Sequence, residues 1–252
     1  MLTPLTPEGV PAFTAACAHE HVFGSKALTA LRAHGLSGPA CRFWHCGGDA
    51  ALCLSGGVLL LSAAEGFPMG PVAELSRRGQ VQEIDSTLPA AQALQRELGG
   101  TLETSFFMEY RAAPPEPPFP PLIPGRLPDV FEVLCASHEY YRTHLDYPSW
   151  SEGVSLRLGC GLAEVWQLDI GGAPAAVGAI LSSDEECAVI GPVAVRPEHR
   201  HQGLGAAISL FLTARALGMG KTPRLVSGYD AVAELYRKIG YTECGRWGEL
   251  YL

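Results

Sequence analysis

The amino-acid sequence predicts an α/β protein built from two related halves. Residues 193–217 show the pattern of a strand, a tight glycine loop and an apolar helix. Residues 224–239 show the pattern of a short strand followed by a second helix. A third observation is internal similarity, because residues 94–101 (L-Q-R-E-L-G-G-T) resemble residues 235–242 (L-Y-R-K-I-G-Y-T). Together these patterns predict two copies of a sheet flanked by helices.

The domain boundary is predicted by a proline-rich segment in the middle of the chain. Residues 113–125 read A-P-P-E-P-P-F-P-P-L-I-P-G, and prolines at this density exclude both helix and inner strand. They favour an extended, semi-rigid linker. We therefore predict a first domain over residues 1–112, a linker over residues 113–125 and a second domain over residues 126–252.

In the second half, the loop between strand and helix has the features of an anion site. Residues 193–206 read V-A-V-R-P-E-H-R-H-Q-G-L-G-A. A helix start with few side chains exposes backbone N–H groups, and the helix dipole favours negative charge there. Glycine also allows a phosphate to approach the backbone closely. Neither the three-glycine dinucleotide pattern nor the G-K-[ST] of a P-loop is present.

The pattern R-x-x-G-x-G at Arg200 to Gly205, preceded by V-x-V-x-P, resembles motif A of the GCN5-related N-acetyltransferase (GNAT) family. The resemblance implies acetyl-CoA as acyl donor and a mostly antiparallel sheet that is splayed open to admit it. It also implies the cofactor-binding residues. Val193, Ala194 and Val195 would meet the pantetheine arm, and the pyrophosphate cradle would comprise His201, Gln202, Gly203, Leu204, Gly205 and Ala206. Arg200 would be a further cofactor-binding residue. The alternative interpretation is an ordinary strand-loop-helix crossover.

A second motif follows at Tyr229 to Tyr241, where the family pattern is N-x-x-A-x-x-L-Y-x-x-x-G-F. Leu235, Tyr236, Gly240 and Tyr241 match it, whereas Tyr229 replaces the asparagine and Val232 replaces the alanine. The resemblance implies that Tyr236 is the catalytic residue. A phenol with a pKa near 10 is protonated at neutral pH and can donate its proton to the departing CoA thiolate. The alternative is that Tyr236 is an ordinary core residue.

The two motifs do not assign the catalytic base or the residues that bind the acceptor. Candidates for the base that deprotonates the acceptor amine are Glu164, Asp184, Glu185 and Glu186. A helical region over residues 129–150 supplies candidates for the acceptor pocket, namely Tyr140, Tyr141, Tyr147 and Trp150.

The first half lacks an equivalent site, because Gly70 is followed by proline and Gln95 occupies the position of Tyr236. We interpret it as a degenerate GNAT-like domain without a cofactor site; the alternative is an unrelated α+β domain.

Composition excludes several classes of function. The formal net charge is −8 and no cationic stripe is present, so no nucleic-acid partner is expected. No run of 18 apolar residues and no signal peptide are found, which predicts a cytoplasmic protein without a membrane span. The eight cysteines form no C-x-x-C pair, and the pairs His19/His21 and His199/His201 are weak ligand patterns. No metal is expected, and the protein is predicted to be a monomer or homodimer.

The sequence therefore predicts an N-acetyltransferase that transfers the acetyl group of acetyl-CoA to a primary amine of a small molecule or peptide. Two alternatives are open. One is a CoA-binding or regulatory module without turnover, and the other is a transferase that uses a different acyl-CoA. The acceptor is not predicted, because acceptor specificity lies in loops and helices that carry no shared pattern.

Overall fold

The computed structural model describes residues 1–228 and 230–252, so Tyr229 lies outside the described residues. The chain folds into two compact units that interleave in sequence. Unit 1 comprises residues 1–108, 226–233 and 243–252, and unit 2 comprises residues 109–225 and 234–242. The predicted boundaries were linear, whereas the final ten residues of the chain are part of unit 1.

Unit 1 begins with most of the amino-terminal half. Its elements are β1 (Thr3–Pro4), α1 (Val10–Cys17), α2 (His21–His34), β2 (Cys41–Cys46), β3 (Ala50–Ser55), β4 (Val58–Ala63), α3 (Gly70–Arg78), β5 (Glu83–Thr87), α4 (Leu88–Leu98) and most of β6 (Thr101–Tyr110). Gly56 and Gly57 both have positive φ and form the tight turn of the hairpin between β3 and β4.

Unit 2 contains the elements that carry the predicted site. They are β7 (Ile123–Pro124), α5 (Leu127–Ser137), α6 (Glu139–His144), α7 (Tyr147–Gly159), β8 (Glu164–Ile170), β9 (Ala173–Ser183), β10 (Cys187–Val195), α8 (Leu204–Gly218) and most of β11 (Thr222–Ser227). The last two elements, α9 (Asp230–Lys238) and β12 (Tyr241–Tyr251), have residues in both units.

Each unit has a mixed, mostly antiparallel sheet. The strand order is β1-β2-β3-β4-β5-β12-β6 in unit 1 and β11-β10-β9-β8-β7 in unit 2. One parallel pair occurs in each: residues 58–60 of β4 pair with residues 83–85 of β5, and residues 187–189 of β10 pair with residues 222–224 of β11. The order strand-strand-strand-helix-strand-helix-strand is therefore repeated. The predicted fold class, two tandem domains of mixed sheet and flanking helices, is confirmed.

Helices cover both faces of each sheet. In unit 1, one face of β3 packs against α1 and α2, and the other packs against α3 and α4. In unit 2, α5 and α7 cover one face through Val130, Val133 and Val154. Helix α8 covers the opposite face at very close range: a Cβ on Gly178 of β9 would lie 2.4 Å from Ile208 Cγ2 and 2.8 Å from Leu212 Cδ1. The glycine therefore allows close packing of α8 on the sheet, because any larger residue would force these side chains to shift.

The helical region predicted over residues 129–150 is divided among three helices, α5, α6 and α7. His138 adopts an extended backbone and its ring accepts the N–H of Tyr140, which starts α6. Asp146 then accepts the N–H of Ser149 at 3.0 Å and starts α7. In the part of the chain that the structure describes, no helix has the length and apolarity required to cross a membrane.

Candidate active site

The predicted cofactor strand, β10, separates from β11 at the position of a β-bulge. Ile190 and Gly191 of β10 both face Ile180 of β9, so one residue of β10 is extra at this point. Pairing between β10 and β11 ends at Val189, immediately before the bulge, whereas pairing between β10 and β9 continues to Val195. The two strands therefore separate at the carboxyl end of β10, as the sequence analysis predicted for the splayed sheet.

The separation leaves backbone groups of β10 directed toward the open side. The N–H of Arg196 donates to Ala175 O of β9 at 2.9 Å. This bond shows which alternate residues of β10 direct their backbone groups toward β9. In such a ladder alternate residues direct their N–H and C=O groups away from the partner strand. Val193 and Val195 are in that position, while the side chain of Ala194 is buried in the core against α5. This geometry supports backbone hydrogen bonds to an extended ligand.

The loop after β10 turns sharply into α8. His201 and Gly203 have left-handed φ angles of 61° and 78°, and α8 starts at Leu204. The first intrahelical bond runs from Ala207 N–H to Gly203 O at 3.0 Å. The N–H groups of Leu204, Gly205 and Ala206 precede it and have no acceptor within the helix. They form an anion cradle at the same end of β10 where the sheet opens.

Gly205 shows that this cradle has free space above it. A Cβ at Gly205 would come no closer than 3.8 Å to the protein, its nearest neighbour being Val195 Cγ2. Packing within the protein therefore does not require glycine at this position. A bound phosphate that approaches the backbone would require it. The residues of the cradle thus fit the pyrophosphate of a CoA ester.

The other predicted loop residues differ in exposure and contacts. His201, Gln202 and Gly203 are exposed, and Leu204, Gly205 and Ala206 are half-buried. The guanidinium of Arg200 donates from Nη2 to Ser137 O and lies 3.4 Å from Val195 O through Nε. Arg200 therefore anchors the loop to the end of α5, and its role as a phosphate ligand stays a prediction.

Tyr236 lies on α9 in a buried environment. Its side chain is 8% exposed, and its ring packs against Tyr241 with a centroid distance of 5.5 Å. Burial raises the pKa of Tyr236 to about 12, against a smaller lowering effect from a hydrogen bond with Ser209. The phenol is therefore protonated across the physiological range, as a general acid must be.

Two of the proposed base residues already have other partners. Asp184 Oδ1 accepts the N–H groups of Glu186 and Cys187 at 2.8 and 2.7 Å, so it closes the turn between β9 and β10. Glu164 forms an ion pair with Arg215, and this pairing lowers the pKa of Glu164. Neither carboxylate is available as a base without breaking these contacts. Glu185 and Glu186 are exposed on the same turn.

The proposed acceptor residues form two aromatic groups on the short helices. Tyr140 is 45% exposed and stacks on His144 at 4.5 Å, while Tyr141 contacts Tyr140 edge-on at 5.8 Å. Phe131 of α5 joins Tyr147 and Trp150 at 5.2 and 5.4 Å. Phe131 was missed in the sequence analysis, because its spacing on α5 does not distinguish it from a core residue.

A shallow groove of about 360 Å³ lies at the other end of α8 and is separate from the predicted site. It is lined by Phe119, Phe211, Ala214, Arg215, Gly218 and Met219. Phe119 of the proline-rich segment contacts Phe211 edge-on at 5.8 Å. The linker is thus packed on α8, and none of the predicted cofactor residues lines this groove.

A group of three carboxyl side chains occurs in unit 1. Oxygens of Glu83, Asp85 and Glu249 lie within 4.8 Å of one another, and Glu249 faces Asp85 in the ladder between β5 and β12. Trp247 Nε1 donates to Asp85 Oδ1 at 3.2 Å. Burial raises the pKa of Asp85 well above its ordinary value. The three oxygens are close enough together to share one cation.

This cluster predicts that the protein is less stable at alkaline pH. Burial, followed by repulsion from Glu83 and Glu103, raises the pKa of Glu249 from 4.5 to about 7, despite the opposing charge of Lys26. Because the folded state holds this proton more tightly, the stabilisation is full below pH 4.5 and is lost as the pH rises through 7. Glu249→Gln should therefore melt a few degrees above wild type at about pH 8.5 and equally at about pH 4.5.

The measurement is thermal unfolding of both proteins across this pH range, with Glu97→Gln as control because Glu97 is an exposed glutamate of unit 1. A Glu249→Gln variant that is less stable than wild type at alkaline pH would show that the ionised carboxylate is needed there, for example as a cation ligand.

Comparison with known proteins agrees with this geometry. Residues 162–243 match the family model described as "Acetyltransferase (GNAT) domain". No curated protein matches the chain at a significant level. Among solved structures, an acetyltransferase of the GNAT family from Colwellia psychrerythraea is 15% identical, with a TM-score of 0.62 and coverage of 100% of this chain and 99% of the other.

Two further solved structures also match this chain over nearly its whole length. A GCN5-related N-acetyltransferase from Kribbella flavida is 17% identical with a TM-score of 0.64, covering 94% of this chain and 95% of the other. A tandem GNAT protein from the clavulanic acid biosynthesis pathway is 16% identical with a TM-score of 0.61, covering 99% and 97%. Residues 162–243 therefore match the GNAT acetyltransferase domain, and the chain has the fold of tandem GNAT proteins.

Proposed function

We propose that this protein is an N-acetyltransferase that transfers the acetyl group of acetyl-CoA to a primary amine of a small molecule or peptide. The observation that carries the proposal is the coincidence of two features at one end of β10. The strand separates from β11 after Val189, and the free N–H groups of Leu204, Gly205 and Ala206 lie on the helix that follows. An extended arm that ends in a pyrophosphate matches both features.

In the proposed mechanism, acetyl-CoA supplies the acyl carbon that the amine attacks. Val193 and Val195 would orient the arm of this substrate through their backbone groups, and the cradle would hold its phosphates. Tyr236 would donate its phenolic proton to the departing thiolate. Much of the rate enhancement would come from positioning the two reactants. No carboxylate is assigned as base, because Asp184 and Glu164 have other partners.

The amino-terminal repeat is proposed to have no cofactor site. Its helix α3 has Pro71 in the first turn, which removes one of the N–H groups that would hold an anion. Ser62, on the matching strand β4, already bonds Glu20 N at 3.0 Å and Ala16 O at 2.8 Å. Gln95, at the position of the catalytic tyrosine, bonds Gly100 O at 3.2 Å. We propose that residues 1–112 support the catalytic half, residues 126–252.

A cytoplasmic location is also part of the proposal. The eight cysteines carry free thiols, and four of them are buried. This pattern fits a reducing compartment. A monomer or homodimer stays the prediction for the oligomeric state, and no metal is assigned to the reaction.

The test is acceptor-dependent release of CoA thiol from acetyl-CoA by the purified full chain. The amine panel should include polyamines, aminoglycosides, amino acids and peptide amino termini, with mass spectrometry of the acylated product. Propionyl-CoA and longer acyl-CoA esters form a second series, because a different acyl donor is the main alternative. Binding of CoA with no thiol release for any amine would support a non-catalytic CoA-binding module instead.

A further inference from the structure

One face of α8 carries a row of three residues spaced four apart, namely Gly205, Ser209 and Thr213. Residues at this spacing in an α-helix lie above one another on the same face. Both hydroxyl side chains are fully buried. Each donates to the carbonyl of the preceding turn: Ser209 Oγ to Gly205 O at 2.8 Å, and Thr213 Oγ1 to Ser209 O at 2.7 Å.

Each hydroxyl of this row also meets one tyrosine. Thr213 Oγ1 lies 2.6 Å from the phenol oxygen of Tyr241, and Ser209 forms a side-chain hydrogen bond with Tyr236. In the pair of Thr213 and Tyr241 either oxygen can be the donor. The bond with Ser209 lowers the pKa of Tyr236, which is the effect of a hydroxyl that donates to the phenol oxygen. The two tyrosine rings contact each other at 5.5 Å with an interplanar angle of 68°. The row thus fixes both phenols against α8, and one of them is the proposed acid.

The bond between Ser209 and Gly205 can be exchanged at little cost. In an α-helix the carbonyl of Gly205 also accepts the backbone N–H of Ser209. The hydroxyl is therefore its second donor, and the carbonyl still has a hydrogen bond when the hydroxyl turns away. The Ser209 proton can therefore be directed to another acceptor within reach, and the nearest candidate is the Tyr236 oxygen.

We propose that Ser209 is a positioning residue for Tyr236. Its hydroxyl holds the phenol oxygen in place and donates its proton to the phenolate that forms during the reaction. The inference rests on the proposed function. In the step itself, the C–S bond of the tetrahedral adduct formed by the amine breaks, and its electron pair leaves on the sulfur. The phenol O–H bond breaks, its proton joins this sulfur to give CoA thiol, and the phenol oxygen keeps the O–H electron pair. The proton that the acceptor nitrogen loses on forming the amide restores the phenol through solvent.

The test compares Ser209→Ala with Thr213→Val, which removes the corresponding hydroxyl opposite Tyr241. Ser209→Ala should lower kcat for thiol release by up to about tenfold, the value of one hydrogen bond, with KM for acetyl-CoA unchanged. Thr213→Val should lower the melting temperature but leave kcat within about twofold, because its tyrosine takes no part in proton transfer. Far-UV circular dichroism checks that both variants fold.

A double-mutant cycle with Tyr236→Phe provides the decisive readout. If Ser209 acts through the phenol, Ser209→Ala should cause no further loss of kcat in the Tyr236→Phe background. Three results would overturn the inference: a further loss of kcat in that background, an equal loss of kcat in Thr213→Val, or wild-type kcat in Ser209→Ala. In each of these cases a low kcat of Tyr236→Phe alone would still support Tyr236 as the acid. Wild-type kcat in Tyr236→Phe would instead overturn the catalytic role of Tyr236 itself, and the inference with it.

Discussion

Replacing Tyr236 by phenylalanine is expected to lower kcat for acceptor-dependent thiol release by about 10²- to 10⁴-fold, the usual contribution of a general acid. The affinity for CoA should stay within about twofold, because the cofactor cradle lies on α8 and contains no part of this phenol. Phenylalanine preserves the edge-on ring contact with Tyr241 and removes only the oxygen. Steady-state kinetics and calorimetric titration with CoA measure the two quantities.

The matched control is Tyr241→Phe. Tyr241 is also a buried tyrosine that bonds a hydroxyl of α8, and it lies in the same aromatic group. Its loss should reduce stability and leave kcat within about threefold, because its hydroxyl is bonded to Thr213 and not assigned to the reaction. Equal loss of kcat in the two variants would show that aromatic packing, and not proton donation, explains the effect.

The second large effect is expected for Glu109→Gln, which should lower the free energy of unfolding by about 3 kcal/mol. The Glu109 carboxylate is 3% exposed and forms ion pairs with Arg224 at 2.5 Å and Arg111 at 2.6 Å. Arg224 is largely buried, and among the residues that the structure describes its Nε has no hydrogen-bond partner. Removing the charge of Glu109 leaves this guanidinium buried without its counter-charge.

Urea unfolding of the variant and the wild type measures this difference. Glu139→Gln is the matched control, because its ion pair with Arg142 is exposed on both sides and should contribute less than about 1 kcal/mol. A loss below about 1 kcal/mol for Glu109→Gln would contradict the buried-charge argument, since it would mean that Arg224 finds solvent or another acceptor.

The parts of the fold that the sequence predicts correctly are those with strong local patterns. Gly203 and Gly205 mark the loop before α8, and the apolar run after them predicts the helix itself. The internal repeat is detectable because a helix end, a glycine and a strand start recur together. The three helices between residues 127 and 159 were harder to separate, because their boundaries depend on caps by His138 and Asp146 within a continuous helical pattern.

The remaining parts depend on contacts between residues far apart in sequence. Glu164 is a plausible base until Arg215, 51 residues later, is seen to pair with it. Glu109 and Arg224 likewise belong to different halves of the sequence but meet in unit 2. Ser209 gives no local signal, because a serine within a helix is usually an unremarked polar residue. Its significance arises only when the fold brings Tyr236 beside it.

The central claim is that each chain has one acyl-CoA site, located in the second repeat. The most direct measurement is isothermal titration of the full chain with CoA, beside a Gly205→Asp variant that places a carboxylate at the cradle. A Cβ at this position is 3.8 Å from its nearest neighbour on another element, Val195 Cγ2, and an acidic residue is favoured in the first turn of a helix, so the variant should fold. The account predicts one CoA bound per wild-type chain and no binding to the variant. Two sites per chain, no binding by wild type, or unchanged binding by the variant would contradict it.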